Sequence, residues 1–180
     1  MISLMSHRTF FLFSFVALSM GMVLASCTGS NSPKIWVEGR QPHTTQGPHA
    51  IQGVCYHPVP MGQDKRSFES LTQDLALMQD MGINTIRVYE PIASEAVLDE
   101  VHEAGISVIV SIGYNQGGLY DLQSGTYLDY VQRFSSHPAI LLWELGNEYN
   151  FHPEWFGGSL DLWYETLGDA SAAIQAADPN

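Results

Sequence analysis

The feature that most constrains this chain is a repeated pairing of a short β-branched run with a longer segment of apolar residues spaced three and four apart. The pairing occurs four times. Residues 51–56 read as a first buried strand, and residues 67–81 as a helix with Phe68, Leu71, Leu75 and Met78 on one face. Gly82 supplies the left-handed residue that ends it. A second strand over 85–89 precedes a helix capped by Ser94, with Val97, Leu98 and Val101 turned inward and Gly105 closing it. The third strand, 106–112, runs out into Gly113, Tyr114 and a Gly-rich loop, and a third helix covers 127–135 on Tyr127, Val131 and Phe134. A nearly continuous apolar run over 139–145 is the fourth strand, with the pattern of one buried on both faces. Beyond a loop at 151–158, a fourth helix carries Leu160, Trp163, Leu167, Ala170, Ile174 and Ala177 on one stripe. Upstream, 35–37 reads as a minor strand leading into a polar stretch. Cys55, inside the first strand, is expected to be a small buried hydrophobe.

Strands alternating with helices argue for right-handed parallel βα units, either in a doubly wound sheet or in a (β/α)₈ TIM barrel. No Gly-rich phosphate fingerprint follows the first strand, so the nucleotide-binding open sheet loses its support and no cofactor is implied. Polar and aromatic residues gather instead after each strand: Tyr56 and His57, Arg87 and Tyr89, Tyr114 and Asn115, Asn147 and Glu148. In a barrel these ends open on one face, where active sites are built. The expected fold is therefore α/β, the N-terminal half of a TIM barrel with about four βα units. The chain from Cys27 onward falls well short of the roughly 250 residues of a whole barrel, and 178–180 reads as a loop before a further strand.

Export is the second expectation. His7 and Arg8 followed by the apolar run 10–24 have the form of a secretory signal over residues 1–26, too short to span a bilayer as a helix. It ends in Leu24-Ala25-Ser26-Cys27, which resembles the lipobox of bacterial lipoproteins, and the resemblance implies cleavage before Cys27 and a membrane-anchoring lipid on its thiol. Residues 27–33 would then be a flexible tether and 34–180 the folded domain. With Cys27 acylated, only Cys55 remains and no internal disulfide can form. Seven basic against nineteen acidic residues give a formal net charge of −12, which repels phosphate backbones and excludes nucleic acid as a natural partner. The seven histidines show no pair at the helical spacing of a zinc site, so no metal is expected.

Four stretches taken together resemble a known group: Ile51-Gln52-Gly53-Val54, Gly82-Ile83-Asn84-Thr85-Ile86-Arg87-Val88-Tyr89, His137-Pro138-Ala139-Ile140 and Trp143-Glu144-Leu145-Gly146-Asn147-Glu148. They are similar, in order and spacing, to the retaining glycoside hydrolases of the (β/α)₈ barrel whose catalytic carboxylates lie on strands four and seven. Family 2 glycosidases are nearest, with the family 5 glucanases and family 72 glucanosyltransferases as neighbours.

The resemblance implies β-linked oligo- or polysaccharide substrates, with Glu148 as general acid/base and Asn147 as hydrogen-bond partner of the sugar 2-hydroxyl. Arg87 would orient a second carboxylate, the nucleophile, which is expected beyond this chain on strand seven. A carboxyl at the mouth of an apolar strand should be partly desolvated, which keeps its proton available for a leaving oxygen. Glu144 should lie on the same side as Glu148 but about 13 Å deeper, if the strand stays extended. His57, Tyr89, Tyr114, Tyr149 and Trp155 are the candidate rings for stacking on sugar. The duller alternatives are a structural ion pair for Arg87, a turn role for Asn147 and ordinary packing for each ring. For the whole chain, the alternatives are a non-catalytic glycan-binding lipoprotein or a transglycosylase.

Overall fold

The computed structural model describes residues 35–45, 47–114 and 118–179. The signal, the tether and Cys27 lie outside these, as does Asn115. Among the described residues no helix is long and apolar enough to cross a membrane.

An antiparallel three-stranded sheet comes first: β1 (Ile35–Glu38), β2 (Gln41–Thr44) and β3 (Gly47–Pro48), with Ile35 opposite Thr44 and His43 opposite Pro48. The polar stretch after 37 is therefore strand. Trp36 stacks on His43 across the pair, at 5.8 Å between ring centroids.

The second sheet holds β4 (Gly53–Cys55), β5 (Thr85–Val88), β6 (Ser107–Ile112) and β7 (Ile140–Leu145), all parallel and in the order β4-β5-β6-β7. The order never reverses. Successive right-handed crossovers therefore lay their helices on the same face.

These helices are α1 (Leu71–Asp80), α2 (Glu95–Glu103), α3 (Leu128–Phe134) and α4 (Leu160–Ala177). Leu71, Leu75 and Met78 give α1 its buried stripe, while Phe68 packs from just before the first turn. Ser94 caps α2 by accepting from the Val97 N–H at 3.4 Å, and Ser159 caps α4 by accepting from Leu162. Buried residues of α4 are Trp163, Ala170 and Ile174; Leu160, at the helix start, stays exposed. The apolar layer between sheet and helices contains Ile86, Val88, Val108 and Val110 from the strands and Leu98, Val101 and Val131 from the helices, each with no solvent exposure. Burying side chains of this kind contributes roughly 1.5–3 kcal/mol each.

Two expectations from sequence are corrected at the first strand. It is only three residues long, all exposed, and Cys55 is exposed with it rather than buried. β4 is the outer strand of the sheet, paired only with β5, and apolar character does not bury a residue that nothing covers. β7 forms the opposite edge, so its last four residues are half-buried rather than enclosed on both faces.

One irregularity in β7 matters for the site. Val108 pairs with Ile140 but Ile109 pairs with Leu142, so Leu141 is an extra residue bulged out of the ladder. A one-residue shift exchanges the two faces of a strand. Beyond the bulge Glu144 lies beside Ser111, on the face away from the helices, and Trp143 lies beside Val110 on the helix face.

Candidate active site

The face of the parallel sheet away from the helices carries Arg87 from β5, Ser111 from β6 and Glu144 from β7. They form one network. Arg87 donates from Nε to Glu144 Oε2 at 2.5 Å and from Nη2 to Glu144 Oε1 at 2.8 Å, a two-pronged fit of guanidinium to carboxylate. Ser111 Oγ donates to Glu144 Oε2 at 2.6 Å, and Arg87 Nη2 also donates to Asn147 Oδ1 at 3.1 Å. Burial alone would raise the Glu144 carboxyl pKa; the bonds from Arg87 and Ser111, with the charge of Arg87, outweigh it and hold Glu144 below the usual carboxylate range. The Arg87 guanidinium is raised in turn, chiefly by its bond to Glu144 and against its own desolvation.

Past Leu145 the chain leaves strand geometry. Gly146 has φ 70°, and a Cβ there would stand 3.1 Å from the Trp163 ring and 3.4 Å from that of Tyr149. Asn147 follows, with its amide oxygen held by Arg87 and its amide nitrogen facing no partner among the described residues. Glu148 then adopts φ 52° and ψ 28°, the left-handed region, and no other described non-glycine residue has positive φ. That conformation costs a side-chain-bearing residue of order 1–3 kcal/mol and collects at functional positions. The Glu148 side chain is exposed and makes no hydrogen bond or ion pair among the described residues. The turn at Gly146 also ends the period-of-two relation between Glu144 and Glu148, which holds only in extended chain.

The described residues expected at the strand ends do lie there, but several side chains sit differently from expectation. Arg87 finds its carboxylate in Glu144, so the ion-pair role is the one observed. Glu148 stands in solvent rather than partly desolvated. Tyr149 is a core residue, 1 % exposed, donating its hydroxyl to the Gly113 carbonyl and packed against Phe156 and Trp163; it has no face for a sugar. Its phenol is pushed up to about 12 by burial and then by the charge of Asp121. Trp155 meets the edge of Tyr149 and has one face covered by His152, stacked at 4.2 Å and 12°.

His57, Tyr89 and Tyr114 do form a continuous row at the ends of β4, β5 and β6. Centroids are 5.9 Å apart from His57 to Tyr89 and 4.9 Å from Tyr89 to Tyr114. Arg87 lies 5.1 Å from the centre of the Tyr89 ring and 5.8 Å from that of Tyr114, which ties the row to the Glu144 network. A hydrogen bond with Cys55 is the first cause of the raised Tyr89 phenol pKa. Sequence reasoning misses Ser111 and the partnership of Glu144, because both depend on strand register. It also misses the approach at Gly113, where φ is 62° and a Cβ would stand 2.7 Å from Leu122. A glycine straight after a β-branched run is the signal that could have found it.

No protein-family model matches the sequence, and no curated protein matches it. Solved structures do match. A β-glucuronidase of Faecalibacterium prausnitzii superposes with a TM-score of 0.60 at 21% identity, covering 82% of this chain and 26% of its own. A β-D-glucuronidase of Dictyoglomus thermophilum gives 0.59 at 18%, covering 82% and 27%. A family 2 β-galacturonidase of Eisenbergiella tayi, solved with galacturonate bound, gives 0.58 at 22%, covering 82% and 26%. The likeness shows a shared fold, and the chain spans about a quarter of the length of the structures it matches.

Proposed function

We propose that this chain carries the acid/base half of a retaining β-glycosidase, with Glu148 as proton donor and acceptor, on the front half of a (β/α)₈ barrel. The observation that carries the reading is Glu148 itself. At the carboxyl end of a parallel strand, a carboxylate without a partner among the described residues is held in left-handed backbone beside an asparagine fixed by an arginine. The unreversed strand order supports a barrel over a doubly wound sheet, and the fold likeness to sugar-cleaving enzymes supports the chemistry.

In this mechanism Glu148 protonates the departing glycosidic oxygen and later takes a proton from the water that releases the sugar. Arg87 accounts for the Asn147 oxygen, which leaves the Asn147 nitrogen to donate to the sugar 2-hydroxyl. Glu144 acts as the anchor that positions Arg87. Its two oxygens are held by Arg87 and Ser111. A nucleophilic carboxylate must come within about 5–5.5 Å of Glu148 in a retaining enzyme, and we propose that residues outside the described set supply it.

Leaving-group dependence tests the assignment, measured on protein that includes the nucleophile. Glu148→Gln should slow cleavage of alkyl and sugar leaving groups by about 10²–10⁴-fold and barely affect the first step on activated aryl glycosides. Equal loss on both substrate types, or no loss on either, removes Glu148 from the role. Binding of sugar without any cleavage would place the chain among glycan-binding modules.

Export with a lipid on Cys27 is a companion proposal resting on Leu24-Ala25-Ser26-Cys27. Labelled fatty acid should enter the wild-type chain and not the Cys27→Ser variant; equal labelling of both would refute it.

A further inference from the structure

We propose that the Tyr149 hydroxyl is a positioning group for the acid/base: it pins the far end of the turn that carries Asn147 and Glu148, and so decides where the Glu148 carboxyl points. This rests on the reading of Glu148 as proton donor and adds what aims it. The turn is held at both ends by successive carbonyls at the exit of β6. At its start the Gly146 N–H donates to the Ile112 carbonyl at 2.8 Å, and at its end the Tyr149 hydroxyl donates to the Gly113 carbonyl. Only two residues lie between these pins. Arg87 holds the oxygen of Asn147, while the Glu148 side chain has no partner among the described residues.

A left-handed non-glycine residue persists only where its surroundings over-determine it. The Glu148 side chain supplies none of that constraint, so the backbone on either side must. Three rings seat Tyr149: Trp163 at 4.7 Å between centroids, Trp155 at 5.1 Å and Phe156 at 5.4 Å. A phenylalanine would keep all three. What the hydroxyl adds is direction, because its bond to Gly113 fixes the ring that directly follows Glu148 against the end of a neighbouring strand. The fit is close on both sides: a Cβ on Gly113 would stand 3.2 Å from the Tyr149 oxygen, and one on Gly146 would stand 3.4 Å from the Tyr149 ring. Burial, with the charge of Asp121 behind it, pushes the phenol up to about 12, so the hydroxyl stays a donor across the neutral range. Gly113 also leads straight into Tyr114, so the same tie sets Glu148 against the aromatic row at the strand ends.

The test compares Tyr149→Phe, which removes one oxygen and keeps the ring, with Phe156→Leu, which loosens the same cluster and keeps the tie. In the isotope-labelled chain, backbone couplings and carbon shifts report the sign of φ at residue 148. Wild type and Phe156→Leu should show positive φ, while Tyr149→Phe should populate negative φ with the β5 and β6 amides unshifted. On protein that includes the nucleophile, Tyr149→Phe should lower kcat for alkyl and sugar leaving groups by about tenfold to hundredfold, with KM changed less than about twofold. Activated aryl glycosides should be nearly unaffected in the first step, and Phe156→Leu should lower Tm without altering the ratio of the two rates. Positive φ retained in Tyr149→Phe overturns the proposal, as does the same change of rate ratio in both variants. A fluorinated tyrosine at 149, more acidic at the same hydroxyl, repeats the test without deleting the oxygen. Ionising it removes the donor and should move residue 148 to negative φ; an unmoved residue 148 overturns the proposal equally. Glu148→Gln without leaving-group dependence would sink the acid/base reading and leave the φ measurement to decide the tie. An unchanged φ would sink the tie and leave the acid/base reading standing.

Discussion

The two faces of the parallel sheet are made by the same strands, residue by residue in alternation, and they meet opposite demands. On the helix face Ile86, Val88, Val108 and Val110 are sealed, and what matters is volume and contact. On the other face Arg87, Ser111 and Glu144 bond to one another, and what matters is register: a single misplaced residue in β7 would put Trp143 where Glu144 stands. The helix face is therefore tolerant of chemistry and intolerant of lost bulk. The open face is tolerant of exposure and intolerant of a lost partner.

The contrast can be broken first from the helix side. Leu98→Ala removes a fully buried side chain and should lower unfolding free energy by about 2–5 kcal/mol in urea titrations, with sugar binding by the remaining folded protein unchanged. Arg87→Met should cost less stability, about 1.5–3 kcal/mol, chiefly for the charged hydrogen bonds lost at a half-exposed site. It should also abolish sugar binding, since Glu144 and Asn147 lose their shared donor. Glu148→Gly goes the other way. Relieving the left-handed backbone should stabilise the chain by about 1–2 kcal/mol while removing the proposed proton donor, and a destabilised variant would show that the strain is absent.

The smallest effect is a slope. Glu144 is held below its unfolded pKa, so its contribution is fully present above that unfolded value, near 4.5, and is lost as pH falls through the depressed folded value. Acid titration of stability should therefore steepen below about pH 4.5 in the wild type and flatten in Glu144→Gln.

What could be read in advance follows the same division. Apolar spacing announces the helix face, because burial there needs only the right side chains at the right period: Leu71, Leu75 and Met78, or the Ser94 cap and the glycines at 82 and 105. The alternation of parallel strands with helices was legible for that reason. The open face is poorly announced. Nothing within the apolar run 139–145 marks Leu141 as the bulged residue, so the meeting of Arg87 with Glu144 could not be read. Cys55 and Tyr149 were misjudged in opposite directions, one at an uncovered sheet edge and the other drawn into the core by a loop that folds back over Trp163. β2 and β3 escaped notice because Gln41, Pro42, His43 and Thr44 show no apolar alternation at all.

The most direct measurement of the central claim is a crystal structure of the chain with a β-linked disaccharide bound at the mouth. The account predicts the glycosidic oxygen within about 2.6–3.2 Å of a Glu148 carboxyl oxygen, with residue 148 in left-handed backbone and the Asn147 amide nitrogen on the 2-hydroxyl. A sugar bound elsewhere, or a Glu148 that relaxes to negative φ and turns away from the strand ends, would contradict it.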